Sequence, residues 1–281
     1  MIQSEYTHLW EEAGANRLQH IPEKQGSAAV YVGIDGCPGG WFAVALTGED
    51  GGWLTSLYAT VEELWAAYGH ARLLLIDMPI GLADGPLDRR CDALARERLK
   101  PGRASSIFPA PVREVLEAAD YAEANRVQRE VSGRGLSRQS WGLVGKIREL
   151  DELLRRDPQA REAFREAHPE LVFAGLSGRP MEHGKKTEDG YAERMSLLQS
   201  VYPSSGRIVE ETLARYPRRT VRRDDIVDAL VLAAAARLCG GTPDELPETG
   251  DTDRAGLRRT ISFVDRVRRS KPGWAEIPTP L

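Results

Sequence analysis

Two acidic side chains end strongly apolar runs of the sequence. Asp35 ends the run AAVYVGID, and Asp77 ends the run ARLLLID. If the two runs form neighbouring strands, the carboxylates lie about 5 Å apart, the spacing between strands in a sheet. Two buried carboxylates at that distance repel each other unless one is protonated or a cation joins them, and oxygen ligands of this kind suit Mg²⁺ or Mn²⁺. A single acid at a strand end has the simpler alternative of reaching solvent.

A second acidic group opens the segment DDIVDALVLAAAARL, residues 224–238, which is apolar nearly all round after its first turn. One Asp at this position is explained as an N-cap that also complements the helix dipole. That explanation does not extend to Asp228, which lies inside the predicted helix, three residues after Asp225. Positions i and i+3 share a helix face, so Asp225 and Asp228 are candidates to bind the same metal.

A fifth candidate acid is Glu170, in the sequence HPEL within a β-type stretch, 165–173. Glu170 is either a solvent-facing strand residue or part of the acidic site, and the neighbouring His168 is a supporting residue, a general base or a packed side chain. The acids together supply what two-metal hydrolysis requires, in which one ion lowers the pKa of a water and the other, about 4 Å away, stabilises the leaving oxygen. The sequence shows no Ser-His-Asp arrangement and no zinc motif.

A mixed sheet would position these acids. Glycine-rich turns separate three β-type runs and predict two successive hairpins: 28–35, 41–46 and 53–59. Thr60 and Glu63 then form a capping-box pattern at the start of a helix. The apolar run 71–77 follows that helix and is expected to lie parallel to an earlier strand. The order β-β-β-α-β is typical of the opening of a ribonuclease-H-like α/β fold, whereas a doubly wound fold alternates strand and helix from its start.

Composition divides the chain into three parts. We predict an N-terminal extension over 1–27, a ribonuclease-H-like domain over 28–240 and a C-terminal tail over 241–281. A polar helical insertion at about 85–164 is expected to cover the active edge of the sheet, with helices predicted over 88–99, 111–131 and 138–156. A strand is expected within 165–173, and further helices are expected over 188–200 and 224–238.

The bulk composition is that of an ordinary globular protein. Of 281 residues, 41% are hydrophobic and 28% are charged, and the net charge of −4 is a mild argument against a protein that coats nucleic acid without specificity. No run approaches the ~20 apolar residues that span a bilayer, and the N-terminus does not resemble a signal peptide. The three cysteines form no C-x-x-C pair. We therefore expect a cytoplasmic protein with reduced thiols and no membrane association.

Seven motifs occur in order along the chain: G-I-D-G-C-P-G-G-W (33–41), I-D-M-P-I-G-L (76–82), R-x-C-D-x-x-A-R (89–96), R-x-S-S-I-F-P-x-P-x-R (103–113), H-P-E-x-x-F (168–173), K-K-T-x-x-G-x-x-E-R (185–194) and D-D-I-V-D-A-L (224–230). Over about residues 30–240 they resemble the domain-of-unknown-function 429 family, described as predicted nucleases with a ribonuclease-H-like fold. The last motif also resembles the end of Holliday-junction resolvase domains, where such acids bind metal.

The resemblance implies a set of metal ligands. The matching positions are Asp35, Asp77, Asp225 and Asp228, and Glu170 is an addition to the catalytic set. Asp77 departs from the superfamily pattern because many members carry Glu at this position, and an Asp is shorter by one methylene. The spacing of bound metals could therefore differ here.

Basic and hydroxyl side chains in the same motifs are candidates to bind phosphate, because guanidinium groups bind it bidentately and lysine supplies a point charge. The candidate substrate-binding residues are Arg90, Arg96, Arg103, Ser105, Ser106, Lys185, Lys186 and Arg194. The basic run RYPRRTVRR, 215–223, precedes the acidic helix, although most arginines on a surface are simply solvated. Phe108 and Trp141 could stack on bases, but packing in the core is the more common use of such residues.

The leading interpretation is a Mg²⁺- or Mn²⁺-dependent nuclease or related phosphodiesterase, whose substrate is nucleic acid or another phosphoester. One alternative is an ATPase or phosphotransferase of the same superfamily, but the turn GIDGCPGG lacks the Thr or Ser and the Lys expected of its phosphate loop. Another alternative is a noncatalytic nucleic-acid-binding protein. The complete set of acids argues against it, since loss of catalysis should remove some of them.

Overall fold

The structure, a computed structural model, describes residues 29–47 and 51–269. The predicted N-terminal extension, 1–27, lies outside the described residues. The strands are β1 (Val30–Cys37), β2 (Gly40–Thr47), β3 (Trp53–Tyr58), β4 (Leu73–Asp77), β5 (Phe164–Glu166), β6 (Asp244–Thr252) and β7 (Arg258–Phe263). The helices are α1 (Val61–Tyr68), α2 (Arg90–Arg98), α3 (Tyr121–Ser132), α4 (Arg138–Arg156), α5 (Pro158–Ala163), α6 (Pro169–Ser177), α7 (Glu188–Val201), α8 (Ser205–Arg215), α9 (Arg223–Leu238) and α10 (Arg266–Arg269).

A five-stranded mixed sheet has the strand order β3-β2-β1-β4-β5. Strands β1, β2 and β3 pair antiparallel in succession, while β4 pairs parallel with both β1 and β5. The predicted β-β-β-α-β opening and the parallel return of β4 are therefore confirmed. The result is a mixed α/β fold whose strand order is compatible with a ribonuclease-H-like arrangement.

The register of the two central strands decides where the first acids lie. Asp35 and Asp77 are direct Cα partners at the ends of β1 and β4. Because the carboxyl ends of parallel strands meet at one edge of a sheet, both acids stand at the same edge, as the sequence predicts. The strands are buried on both faces, which explains why their sequences are continuously apolar instead of alternating.

Helix α9 packs directly on the central strands and is buried over most of its length. Gly33 on β1 permits this contact, because a Cβ at that position would lie 2.0 Å from the carbonyl oxygen of Ala229 and 2.2 Å from the amide nitrogen of Ala233. The close approach places the first turns of α9 beside the strand ends. Asp225 and Asp228 are thereby brought to the same edge as the two strand acids.

Helix α4, from the predicted insertion, packs on the opposite face of the sheet. Its buried side chains include Val144, Ile147 and Leu150. Glu149 ties this helix to the sheet layer, since its carboxylate accepts hydrogen bonds from Trp41 Nε1 (3.0 Å) and from the backbone nitrogen of Val61 (2.5 Å). The insertion is therefore part of the folded core as well as a cover over the sheet edge.

Two predicted elements differ from the structure. The stretch 165–173 is a strand only at its start, in β5, and Pro169 then opens helix α6, so Glu170 lies in a helical first turn. An apolar run that is buried all round does not reveal by periodicity whether it is strand or helix, which explains the error. The predicted helix 111–131 begins only at Tyr121, where the Asp120 side chain caps it by accepting from the backbone nitrogen of Glu123. A short 3-10 helix, Arg113–Glu117, precedes it.

Helices α5, α8 and α10 and the hairpin β6–β7 also have no counterpart in the sequence prediction. The hairpin comes from residues assigned to the C-terminal tail, and Ile261 and Phe263 are buried in the main core. Asp253, between its strands, forms an ion pair with Arg113 of the insertion. Residues 270–281 of the predicted tail lie outside the described residues.

The sequence also predicts reduced thiols and no membrane association. Cys37, Cys91 and Cys239 are buried free thiols, in agreement with the expectation of no disulfide framework. Within 29–47 and 51–269, no helix is both long and apolar enough to cross a bilayer.

Candidate functional site

A cavity of about 600 Å³ opens at the edge of the sheet where β1 and β4 end. Strand ends, the first turns of α6 and α9, and loops on either side form its wall. We call it the acidic cavity, because all five predicted catalytic carboxylates line it: Asp35, Asp77, Glu170, Asp225 and Asp228. The tertiary structure therefore brings together residues that are almost 200 positions apart in the chain.

Burial and mutual repulsion raise the proton affinity of these acids. Burial, followed by the nearby carboxylates of Asp77, Asp228 and Asp225, holds the pKa of Asp35 well above its usual range. Burial also raises the pKa of Asp225 to about 6. The pKa values of Asp77 and Asp228 are raised by burial as well, although the positive charge of Lys185 opposes the shift. This cluster is a place where a cation or a proton is favoured.

Asp225 has a structural role in addition to its place in the cavity. Its Oδ2 accepts a hydrogen bond of 2.8 Å from the backbone nitrogen of Arg222, which closes the start of helix α9. The N-cap is Arg222 and not an Asp as the sequence predicts, and Asp225 closes the helix start from the third helical position. This hydrogen bond to the backbone uses one of the two carboxylate oxygens of Asp225.

Asp228 is paired with a cation from the protein itself. The Lys185 ammonium donates to Asp228 Oδ2 at 2.6 Å, and the Asp228 side chain is only 4% exposed while that of Lys185 is 39% exposed. Burial alone would lower the pKa of Lys185, but the carboxylates of Asp228, Asp77 and Asp35 raise it above the usual lysine range. Lys185 is therefore a charged counter-ion at the rim of the acidic cavity.

Glu170 is held by Arg194, a residue predicted to bind substrate. The Arg194 guanidinium is buried, donates to Glu170, and also donates to the carbonyl oxygens of His183 (3.0 Å) and Gly190 (2.8 Å). Most of its hydrogen-bonding capacity is thus directed at the protein. The second carboxylate oxygen of Glu170, Oε2, is buried and has no hydrogen-bond partner among the described residues.

The other predicted phosphate-binding residues divide into two groups. Those that line the acidic cavity are Arg103, Ser106, Lys185 and Lys186, and those absent from its lining are Arg90, Arg96 and Ser105. Arg96 instead donates from Nε to the carbonyl oxygen of Ile107 at 2.9 Å. Phe108 lines the cavity and is 37% exposed, whereas Trp141 packs edge-on against Tyr121.

Sequence reasoning missed a buried ionic group in the cavity wall. Arg89 binds Glu166 bidentately, at 2.7 Å for both contacts, and also binds Asp92 at 2.5 and 3.2 Å. The group joins the end of β5 to the first turn of α2. The available signal was the position of Arg89, which begins the R-x-C-D motif, whereas the prediction named the adjacent Arg90.

His168 presents an unused ring nitrogen in the wall of the acidic cavity. Its Nε2 lies 3.2 Å from the carbonyl oxygen of Ser106, and because a carbonyl only accepts, this nitrogen carries the proton. Burial lowers the pKa of His168, which favours the neutral ring. Its Nδ1 is then a bare acceptor, and it has no partner among the described residues.

The donor set suits a hard divalent metal in chemistry, because carboxylate oxygens are the preferred ligands of Mg²⁺ and Mn²⁺. The raised pKa of Asp35 is the feature expected of a buried acid among other carboxylates, and Oε2 of Glu170 lacks a partner among the described residues although Arg194 binds the other oxygen of that carboxylate. In the described part of the chain, however, no three His, Cys, Asp or Glu side chains are gathered closely enough to hold an ion. The carboxylates interact over electrostatic distances, which are longer than coordination distances, and Lys185 supplies the positive charge.

A family model described as "Protein of unknown function (DUF429)" matches residues 33–252. The chain belongs to the DUF429 family. This confirms the family inferred from the seven motifs, and the matched span contains all five carboxylates of the acidic cavity. No curated protein and no solved structure matches the chain.

Proposed function

We propose that this DUF429 protein is a metal-dependent nuclease, hydrolysing phosphodiester bonds on a ribonuclease-H-like sheet. The observation that carries the proposal is the convergence of five carboxylates in one cavity whose lining also holds Arg103, Lys185 and Lys186. An acidic centre with cations around it matches the needs of a site that binds metal and a phosphate together. The strand order β3-β2-β1-β4-β5 supports the fold assignment.

Asp35, Asp77, Asp225 and Asp228 would hold Mg²⁺ or Mn²⁺. When bound, the metal lowers the pKa of a water and stabilises charge on the leaving oxygen. His168, whose ring burial keeps neutral, lines the same cavity. Lys185, released from Asp228, would bind oxygens of the cleaved phosphate, while backbone carbonyls of Met181 and Glu182 fix the Arg103 side chain that lines the same wall.

Calorimetry with Mg²⁺ and Mn²⁺ on the wild type and on Asp35→Asn and Asp228→Asn tests the metal site. Asp189→Asn is the matched control, because Asp189 is exposed and lines neither the acidic cavity nor the smaller cavity beside it, between the starts of α7 and α9. We expect metal binding in the wild type and in the control, and its loss in both cavity variants. Equal binding in all four proteins would contradict the proposed ligands.

The same samples are then assayed on single-stranded, duplex and branched DNA and RNA. Cleavage that occurs only with metal, and that is lost in Asp35→Asn and Asp228→Asn, would support the nuclease proposal. Binding of nucleic acid without cleavage under any metal would favour a noncatalytic binding protein, the alternative favoured by the Lys185–Asp228 ion pair.

The cytoplasmic location also stays a prediction, which cell fractionation checks.

A further inference from the structure

A second cavity, of about 270 Å³, adjoins the acidic cavity between the start of α7 and the start of α9. We call it the basic cavity, and its defining residues are Lys186, Tyr191, Arg194, Arg222 and Arg223. Lys186 and Arg222 line both cavities. A ligand bound in the acidic cavity could therefore extend past these two side chains into the basic cavity.

The basic cavity carries excess positive charge. Five cationic side chains and two carboxylates line it. Lys185, Arg194 and Arg223 pair with Asp228, Glu170 and Glu188, which leaves the positive charges of Lys186 and Arg222 against the single carboxylate of Asp224. Arg223 is held in place, because it pairs with Glu188 at 2.7 Å and its guanidinium lies 4.1 Å from the centre of the Tyr191 ring. Lys186 and Arg222, by contrast, form no ion pair with any residue that the structure describes. Their charges are available to a ligand.

An unsatisfied buried donor provides independent support for an anion here. The Arg194 side chain is only 2% exposed, and its Nε–H has no acceptor among the described residues, while three of its other four N–H groups bind Glu170, His183 and Gly190. A buried donor without a partner is unfavourable, and because Arg194 lines the basic cavity, a small shift of its side chain toward a bound ligand would satisfy this donor. Arginine and lysine together are well suited to phosphate oxygens.

We propose that the basic cavity binds a second phosphate group of the substrate, next to the phosphate that is cleaved in the acidic cavity. The inference rests on the proposed function for the role of the acidic cavity. It narrows the substrate to a ligand with at least two phosphate groups, such as a nucleic-acid strand, and excludes a phosphomonoester or an isolated phosphodiester as the preferred substrate. Lys186 and Arg222 are the residues that bind the second phosphate.

Calorimetry with three probes tests this inference: a thymidine dinucleotide with one phosphodiester, a thymidine trinucleotide with two, and inorganic diphosphate. Each is titrated with and without Mg²⁺ into the wild type and the double variant Lys186→Ala/Arg222→Ala. The control is Arg72→Ala/Lys100→Ala, which removes the same charge from exposed side chains that line neither cavity. Thermal melting checks that all three proteins are folded.

The wild type should bind the trinucleotide at least about tenfold more tightly than the dinucleotide. The double variant should lose this preference, whereas the control keeps it. The salt dependence of trinucleotide affinity should also fall, by about 0.7 in the logarithmic slope for each phosphate that the variant no longer neutralises. Equal affinities for the two oligonucleotides in the wild type, or an equal effect of the control substitutions, would overturn the second-phosphate site.

The outcomes separate this inference from the proposed function. A two-phosphate preference that depends on Lys186 and Arg222, without cleavage under any metal, would support the site and refute the nuclease. Cleavage of nucleic acid without a preference for two phosphates would support the nuclease and refute the second-phosphate site. Diphosphate that binds as tightly as the trinucleotide, with the same dependence on Arg222, would support the site but identify a small polyphosphate as its ligand in place of a strand.

Discussion

The Lys185 ammonium and the Asp228 carboxylate form a charged contact of 2.6 Å in the acidic cavity. Because Asp228 is also a proposed metal ligand, a divalent ion and Lys185 compete for the same oxygen. Lys185 is the more exposed partner, with 39% of its side chain accessible, so it can move away without unfolding its surroundings. A lysine in this position stabilises the carboxylate cluster, and under the proposed function it would become available to phosphate when metal binds.

Replacing Lys185 by Met tests this competition at the scale of one residue. The variant keeps the length of the side chain and removes the charge, so we expect Mn²⁺ to bind about tenfold more tightly at pH 8. Cleavage should fall, because phosphate loses a cation. Calorimetry measures the affinity, and Lys100→Met, at an exposed lysine paired with Glu97, is the control. Weaker Mn²⁺ binding in Lys185→Met would show that Lys185 supports the metal site instead of competing with it.

Several elements meet at the buried group formed by Arg89, Asp92 and Glu166. Arg89 binds both carboxylates and also donates to the carbonyl oxygens of Ile80 and Gly81, each at 3.1 Å. It therefore connects β5, the loop after β4 and helix α2. Burial raises the pKa of Glu166 above its usual range even though Arg89 opposes the shift. The geometry of the cavity wall depends on this one guanidinium.

We expect Arg89→Met to destabilise the protein by about 3–5 kcal/mol, because it leaves two buried carboxylates without their cation. The neighbouring variant Arg90→Met is the control: Arg90 is exposed, and its replacement should change the free energy of unfolding by less than about 0.5 kcal/mol. Urea denaturation of the two variants at pH 7.5 measures both. Equal effects would mean that the ionic group does not hold these elements together.

At the scale of the whole molecule, the acidic cavity makes stability depend on pH. The folded-state pKa of Asp35 lies above the unfolded value of about 3.9, so the folded protein binds the proton more tightly. Between these two pKa values the unfolded state binds fewer protons, and the free energy of unfolding therefore falls as pH rises. The carboxylate cluster therefore lowers the free energy of unfolding in metal-free buffer as pH rises, and its negative charge attracts cations.

Asp35→Asn should accordingly be more stable than the wild type at pH 7.5 without metal, by on the order of 1–3 kcal/mol, because an amide cannot ionise. The difference should be smallest near pH 4, where the folded carboxyl is protonated and the unfolded one is about half protonated. Denaturation curves at pH 4, 5.5 and 7.5 provide the comparison, and Asp189→Asn should show no such trend. An Asp35→Asn protein that is less stable at pH 7.5 would contradict the raised pKa.

Local pattern alone determined the central strands, the parallel return of β4, the buried helix α9 and the acids Asp35, Asp77, Asp225 and Asp228. These features follow from runs of apolar residues with acids at their ends, and neighbouring residues decide such runs. The family was also evident from its motifs. Glu170 was identified as a candidate, but its element was wrong, because an apolar stretch buried all round has no period that separates helix from strand.

Only the tertiary structure decided which charges meet. Lys185 reaches Asp228 across 43 positions and Arg89 reaches Glu166 across 77, and no local pattern encodes such pairings. Local pattern also does not reveal that Arg194, predicted to bind substrate, is buried against Glu170. Nor does it reveal that Lys186 and Arg222 line both the acidic and the basic cavity. The free energy of a charged side chain depends on the burial and partners that the folded chain provides, and those are properties of packing in three dimensions.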